Sequence, residues 1–123
     1  MWFVATAPLG TEGHVNMSPR GHDSFSVLGA HRVGWVDYTG SGIETIAHIR
    51  ENGRVCLMFN SFGSRPRIVR LHDRGSVFLP GEATFEEVAA LHPEHPSRHH
   101  GRRHPHQRLV RLGCPRHGND RRA

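Results

Sequence analysis

The sequence predicts a small, mainly β domain: a mostly antiparallel barrel with two short helices attached. Three observations carry this. About six apolar runs of strand length are separated by clusters of Gly, Pro and polar residues. Only two stretches have helical spacing, and they do not alternate with the strands in a βαβ rhythm. The 123 residues suffice for one domain and not two.

Trp2–Thr6 is a short Val- and aromatic-containing run bounded by Pro8 and Gly10, which predicts a buried strand. Thr11-Glu12-Gly13 predicts a turn, and His14–Ser18 alternates apolar and polar residues. The two runs therefore form a hairpin, ended by Pro19, Arg20 and Gly21. Phe25–Leu28 is a brief apolar strand, with Gly29-Ala30-His31 as connector. Arg32–Tyr38 predicts a central strand.

After the turn Thr39-Gly40-Ser41-Gly42, Ile43, Ile46, Ala47 and Ile49 recur at helical spacing, so Ile43–Asn52 is a helix. Glu44 and Thr45 suit its first turn, and Asn52-Gly53 stops it. Arg54–Asn60 is the most apolar strand, and Cys56 within it reads as an inert, buried thiol. Trp35 and Phe59 read as core aromatics. Arg67–Leu71 and Ser76–Leu79 predict either two strands or one bent strand. Phe85–Leu91 is a second helix, with Thr84 as its cap.

Charge divides the chain into a domain over 1–93 and a tail over 94–123. The first segment carries 8 Arg against 9 acidic residues, the second 8 Arg against 2. All 16 basic residues are Arg. A near-neutral body argues against a basic nucleic-acid-binding fold and leaves only non-specific phosphate contact by the tail. The tail shows no periodicity and is expected to be disordered. Its His99, His100, His104 and His106 would give weak metal binding, and no metal site is assigned. The tail's composition is also what a GC-rich gene yields out of frame. Back-translating Ser97–His104 and shifting by one base permits Arg-Ala-Ile-Met-Val-Val-Asp, a strand-like segment. No apolar run reaches the ~18 residues of a membrane span. Two cysteines make no disulfide framework. A cytoplasmic setting follows as the expectation.

Three segments belong together: Phe3-Val4-Ala5-Thr6-Ala7-Pro8-Leu9, Gly13-His14-Val15-Asn16-Met17-Ser18-Pro19-Arg20-Gly21 and Asp37-Tyr38-Thr39-Gly40-Ser41-Gly42-Ile43-Glu44-Thr45. With Arg50-Glu51-Asn52-Gly53-Arg54-Val55 and the strand after it, the chain resembles the pyridoxamine 5'-phosphate oxidase-like family from residue 2 to about 93. The resemblance implies the FMN-binding split β-barrel, Greek-key-like and here incomplete, with a homodimer and flavin at the subunit interface. It also implies a helix before the first strand and a further apolar strand after the second helix. The chain is thus expected to be trimmed at its N-terminus and frameshifted after about residue 96.

A flavin phosphate requires backbone N–H groups with Ser, Thr or cationic donors, often at a helix N-terminus. Thr39, Gly40 and Ser41, with Thr45 one turn inside the helix, supply such groups. The same segment is equally a strand-to-helix turn with a capping Ser. Family oxidases place a basic pair where this chain has Glu44-Thr45, which replaces a positive charge by a negative one. Arg20, two residues beyond Ser18, is the expected substitute cation. The cofactor-binding set is therefore Ser18, Arg20, Thr39, Gly40, Ser41 and Thr45, with no catalytic residue assigned. Glu44 and His48, four apart on one helix face, read as a surface ion pair.

The implied function is an FMN-dependent oxidoreductase acting on an unknown small substrate, with deazaflavin as the alternative cofactor. Two other readings stay open: a non-catalytic flavin-binding module, and a degenerate fragment without function.

Overall fold

The computed structural model describes residues 1–21, 25–37, 43–91 and 108–113. Among the described residues, seven strands and two helices follow in the order β1 (Trp2–Thr6), β2 (Asn16–Arg20), β3 (Phe25–Gly29), β4 (Arg32–Asp37), α1 (Ile43–Asn52), β5 (Arg54–Ser61), β6 (Arg67–Phe78), α2 (Ala83–Ala90) and β7 (Arg108–Leu112). The strands form one antiparallel sheet in the order β2-β1-β5-β6-β7-β4-β3.

The sheet folds onto itself. Trp2 of β1 meets Phe25 of β3 and Trp35 of β4, each at a ring-centroid distance of 5.4 Å, although β1 and β4 lie far apart in strand order. Phe59 of β5 stacks on Trp2 at 5.7 Å, completing an aromatic centre. Around it Val4, Ile46, Ile49, Val55, Leu57, Val110 and Leu112 are buried. Burying such side chains contributes roughly 1.5–3 kcal/mol each. The residue pattern predicts an antiparallel barrel, and this architecture is the split β-barrel that the resemblance implies.

The partition depends on β6, which is one continuous strand of twelve residues. Arg67–Arg74 pair with β5 and Gly75–Phe78 pair with β7. The residue at the change of partner is Gly75, where a Cβ would lie 3.2 Å from Ile49 Cγ2 and 3.3 Å from Leu112 Cδ2. Helix and strand can close over this point only because there is no side chain. Gly53, at φ 74°, ends α1 in the left-handed conformation that favours glycine.

Several expectations are corrected. β2 extends through Pro19 and Arg20 instead of ending there. β2 is an edge strand, so the missing Pro19 N–H costs no ladder bond. The link from β1 to β2 is a nine-residue loop, not a tight turn at Thr11–Gly13. α1 pins it: Asn52 Nδ2 donates to Ala7 O at 2.7 Å, and Glu51 accepts from Leu9 N. α2 starts at Ala83 after Glu82, without a side-chain cap, so Thr84 lies inside the helix.

The largest correction concerns the tail. Arg108–Leu112 is a strand inserted between β4 and β6, not disordered chain. Leu109 and Val110 are completely buried and Leu112 is 2% exposed. Val110 and Leu112 face the aromatic core, whereas Leu109 packs with Val36, Phe85 and Val88 under α2. Three large apolar side chains in five residues compensate for the flanking arginines, and Arg111 lies over the Phe78 ring at 4.8 Å. The position that the resemblance assigns to a further apolar strand is thus occupied by this chain's own residues. Residues 94–107 and 114–123, including His99, His100, His104 and His106, lie outside the described residues. Among the described residues no helix is long and apolar enough to cross a membrane.

Candidate functional site

Strand alternation turns Ser18 and Arg20 inward with Asn16, while Met17 and Pro19 face out. Three consecutive inward positions of β2 are therefore polar. The paired positions on β1 are Thr6, Val4 and Trp2. β2 lies at one edge of the sheet, where the first turn of α1 brings Thr45 over it.

Thr45 is fully buried and its Oγ1 joins the group. Asn16 Nδ2 donates to it at 2.9 Å and Arg20 Nη2 at 3.4 Å. The same Nη2 donates to Asp37 Oδ2 at 3.0 Å, an ion pair whose side chains are 8% and 6% exposed. Arg20 Nη1 donates to Pro19 O at 3.3 Å. β2, β4 and α1 thus converge on one guanidinium. Burying this charge is tolerable only because Asp37 neutralises it and further acceptors surround it.

Two buried polar atoms of the group, Ser18 Oγ and Arg20 Nε, have no hydrogen-bond partner among the described residues. Buried donors left unpaired cost free energy, which is why most find partners. One turn further along α1, His48 Nδ1 lies 3.0 Å from Thr6 Oγ1, extending the polar seam between β1 and the helix.

Of the residues singled out from sequence, Ser18, Arg20 and Thr45 come together. Thr39, Gly40 and Ser41 lie outside the described residues. The reading missed Asn16, Asp37 and Thr6. Asn16 was legible as the third member of the alternation 16, 18, 20. Asp37 carries no local signal, because its link to Arg20 exists only in the closed barrel. Glu44 is exposed, so its negative charge faces solvent. The expected Glu44–His48 ion pair is absent, and His48 turns to Thr6 instead. Cys56 is not an inert core thiol: it is half-buried on the outer face of β5, opposite His72. Trp35 and Phe59 do lie in the core.

The group offers an amide, two hydroxyls and a guanidinium whose charge Asp37 already balances. This donor set suits an acceptor-rich anion such as a phosphate group, and the two unpartnered atoms are sites of unused capacity. The residues present therefore fit a flavin phosphate in kind.

No protein-family profile matches the chain. A segment of 79 residues, 63% of the chain, is 52% identical to the pyridoxamine 5'-phosphate oxidase family protein ustO of Aspergillus flavus, of which it covers 31%. The chain thus spans about a third of that relative's length. Among solved structures, Group A Streptococcus HupZ is similar with TM-score 0.66 at 18% identity, over 91% of this chain and 78% of that one. An FMN-binding protein from Syntrophomonas wolfei is similar with TM-score 0.65 at 13% identity, over 92% and 72%. A candidate pyridoxamine 5'-phosphate oxidase from Listeria innocua gives TM-score 0.61 at 11% identity, over 90% and 80%. At these identities the solved structures speak for the fold.

Proposed function

From a chain that resembles the pyridoxamine 5'-phosphate oxidase-like family in sequence and has its split-barrel fold, we propose a flavin-binding protein that takes FMN. The observation that carries this reading is the polar inward face of β2 meeting Thr45 of α1, with Ser18 Oγ and Arg20 Nε unpartnered among the described residues. The FMN phosphate accepts from Ser18, Arg20 and Thr45, and from Thr39, Gly40 and Ser41 before α1. Arg20 is the cation that offsets its charge, in place of the basic pair replaced by Glu44 and Thr45. Bound flavin supplies hydride or electron exchange with a small substrate, so the protein is an oxidoreductase of unassigned substrate. Deazaflavin is the second candidate cofactor.

Met17, Val27, Phe62, Ile68 and Val69 are all more than half exposed, and a homodimer covers part of this apolar surface. A cytoplasmic location suits a chain whose Cys56 is a free thiol.

The test is a fluorescence titration of FMN with the purified full chain. Saturable quenching that weakens about tenfold or more in Arg20→Ala supports the reading, since a charged hydrogen bond contributes ~1.5–3 kcal/mol. No quenching by FMN overturns it. Quenching by a deazaflavin alone transfers the site to that cofactor.

A further inference from the structure

Cys56 and His72 are direct partners across β5 and β6, with Sγ 3.9 Å from Nε2. Both project from the outer face, away from the core that Val55 and Leu57 enter. Met58, half-buried, is the next outward residue of β5, about 6.6 Å along the strand from the ~3.3 Å rise per residue. A thiol, an imidazole and a thioether thus share one patch of sheet. None belongs to the polar group around Arg20.

We propose that Cys56, His72 and Met58 form a binding site for a monovalent, thiophilic metal ion, with Cu(I) as its natural class of ligand. The donors are soft, the combination that selects Cu(I) over oxygen-loving cations. With metal–sulfur and metal–nitrogen bonds of about 2.3 and 2.0 Å, donors 3.9 Å apart subtend about 130° at the ion. That is wider than the tetrahedral angle of a structural zinc site and slightly wider than the trigonal ~120°, which suits a low-coordinate ion with one further position for the Met58 sulfur.

Charge points the same way. Arg54 and Arg74 flank Cys56 and His72 on this face, and Arg70 stands opposite Met58. Arg54 and Arg74 turn towards backbone carbonyls, Pro8 O at 3.3 Å and Asn52 O at 2.9 Å respectively. One thiolate with a monovalent ion makes a neutral centre among these guanidinium groups. A divalent ion would leave a net positive charge beside them. Ion binding displaces the proton of Cys56, whose thiol otherwise lies 3.7 Å from Leu57 O.

The experiment uses the full chain carrying Cys114→Ser, reduced and oxygen-free, with Cu(I) titrated against a coloured Cu(I) chelator. One equivalent withheld from the chelator, with thiolate-to-copper ultraviolet absorption, is expected. Cys56→Ser and His72→Phe are each expected to weaken binding at least tenfold, and Met58→Leu several-fold. Excess Zn(II) is expected not to displace the ion. His72 is exposed, so His72→Phe tests the site even where a Cys56 variant folds poorly. Unchanged Cu(I) affinity in any of the three variants, or displacement by equimolar Zn(II), overturns the proposal.

Discussion

Arg20 and Asp37 form a buried ion pair 3.0 Å long that ties the edge strand β2 to the end of β4, on the opposite side of the folded sheet. Removing one partner leaves a buried charge uncompensated. Asp37→Ala is expected to cost about 3–5 kcal/mol, read as a shift in the urea midpoint. The double replacement Arg20→Met with Asp37→Leu is expected to recover most of that stability while leaving FMN unbound. A double variant that still binds FMN with full affinity would remove Arg20 from the cofactor site.

Thr45 accepts from both Asn16 and Arg20, so it is the buried acceptor at which strand and helix meet. Thr45→Val keeps the shape and removes the oxygen. The expected loss is about 1–3 kcal/mol in chemical denaturation, because two donors lose a partner in a dry environment. A loss under a few tenths would mean that water replaces the hydroxyl.

Leu109 is wholly buried between β4 and α2. Leu109→Ala is expected to destabilise by about 2–5 kcal/mol, as for other buried leucines. Ending the chain at residue 107 exposes the facing edges of β4 and β6 and is expected to give aggregates by size-exclusion chromatography. A truncated chain that unfolds at the melting temperature of the full one would show that the strand adds nothing.

Gly75 has Ile49 and Leu112 side chains within 3.3 Å of where a Cβ would stand. Gly75→Val is expected to cost at least ~1–3 kcal/mol from overpacking, measured by thermal unfolding. Gly10, with open space around it, is the control: Gly10→Ala is expected to have little effect.

The homodimer proposed above is checked by light scattering at micromolar concentration. A species of twice the chain mass is expected, shifting towards the monomer when Ile68 and Val69 are both replaced by Asp. A monomer for the unaltered chain at that concentration contradicts it.

How far the sequence revealed the fold depended on whether local pattern and tertiary role agreed. Ile43–Asn52 has helical spacing and a glycine stop, and α1 has those very bounds. Residues 67–79 read as two strands or one bent strand, because hydropathy alone does not decide whether His72–Gly75 interrupts the run. A change of pairing partner does not break the backbone, so β6 runs through. β7 escaped because Leu109, Val110 and Leu112 stand among arginines in a segment with six histidines. Averaged over the tail, that composition reads as unfolded chain, but five residues suffice when the slot between β4 and β6 already supplies hydrogen bonds on both sides. At the candidate site, Ser18, Arg20 and Thr45 were legible from hydroxyl and cationic chemistry. Asp37 was not, because only the closed barrel brings it within 3.0 Å of a residue seventeen positions earlier.

Insertion of β7 between two strands made long before it has a kinetic consequence. The β3–β4 hairpin and the last residues of β6, Gly75–Phe78, leave the ribosome with their facing edges bare. Closure waits for Leu112 to emerge, about 75 residues after Asp37, to judge from the pairing of Val33 with Leu112 and Asp37 with Arg108. During that interval β4 and β6 present unpaired backbone to any neighbouring nascent chain. Slower synthesis or crowding on one messenger should therefore raise misassembly between copies more than it affects the earlier β1–β2 and β5–β6 hairpins.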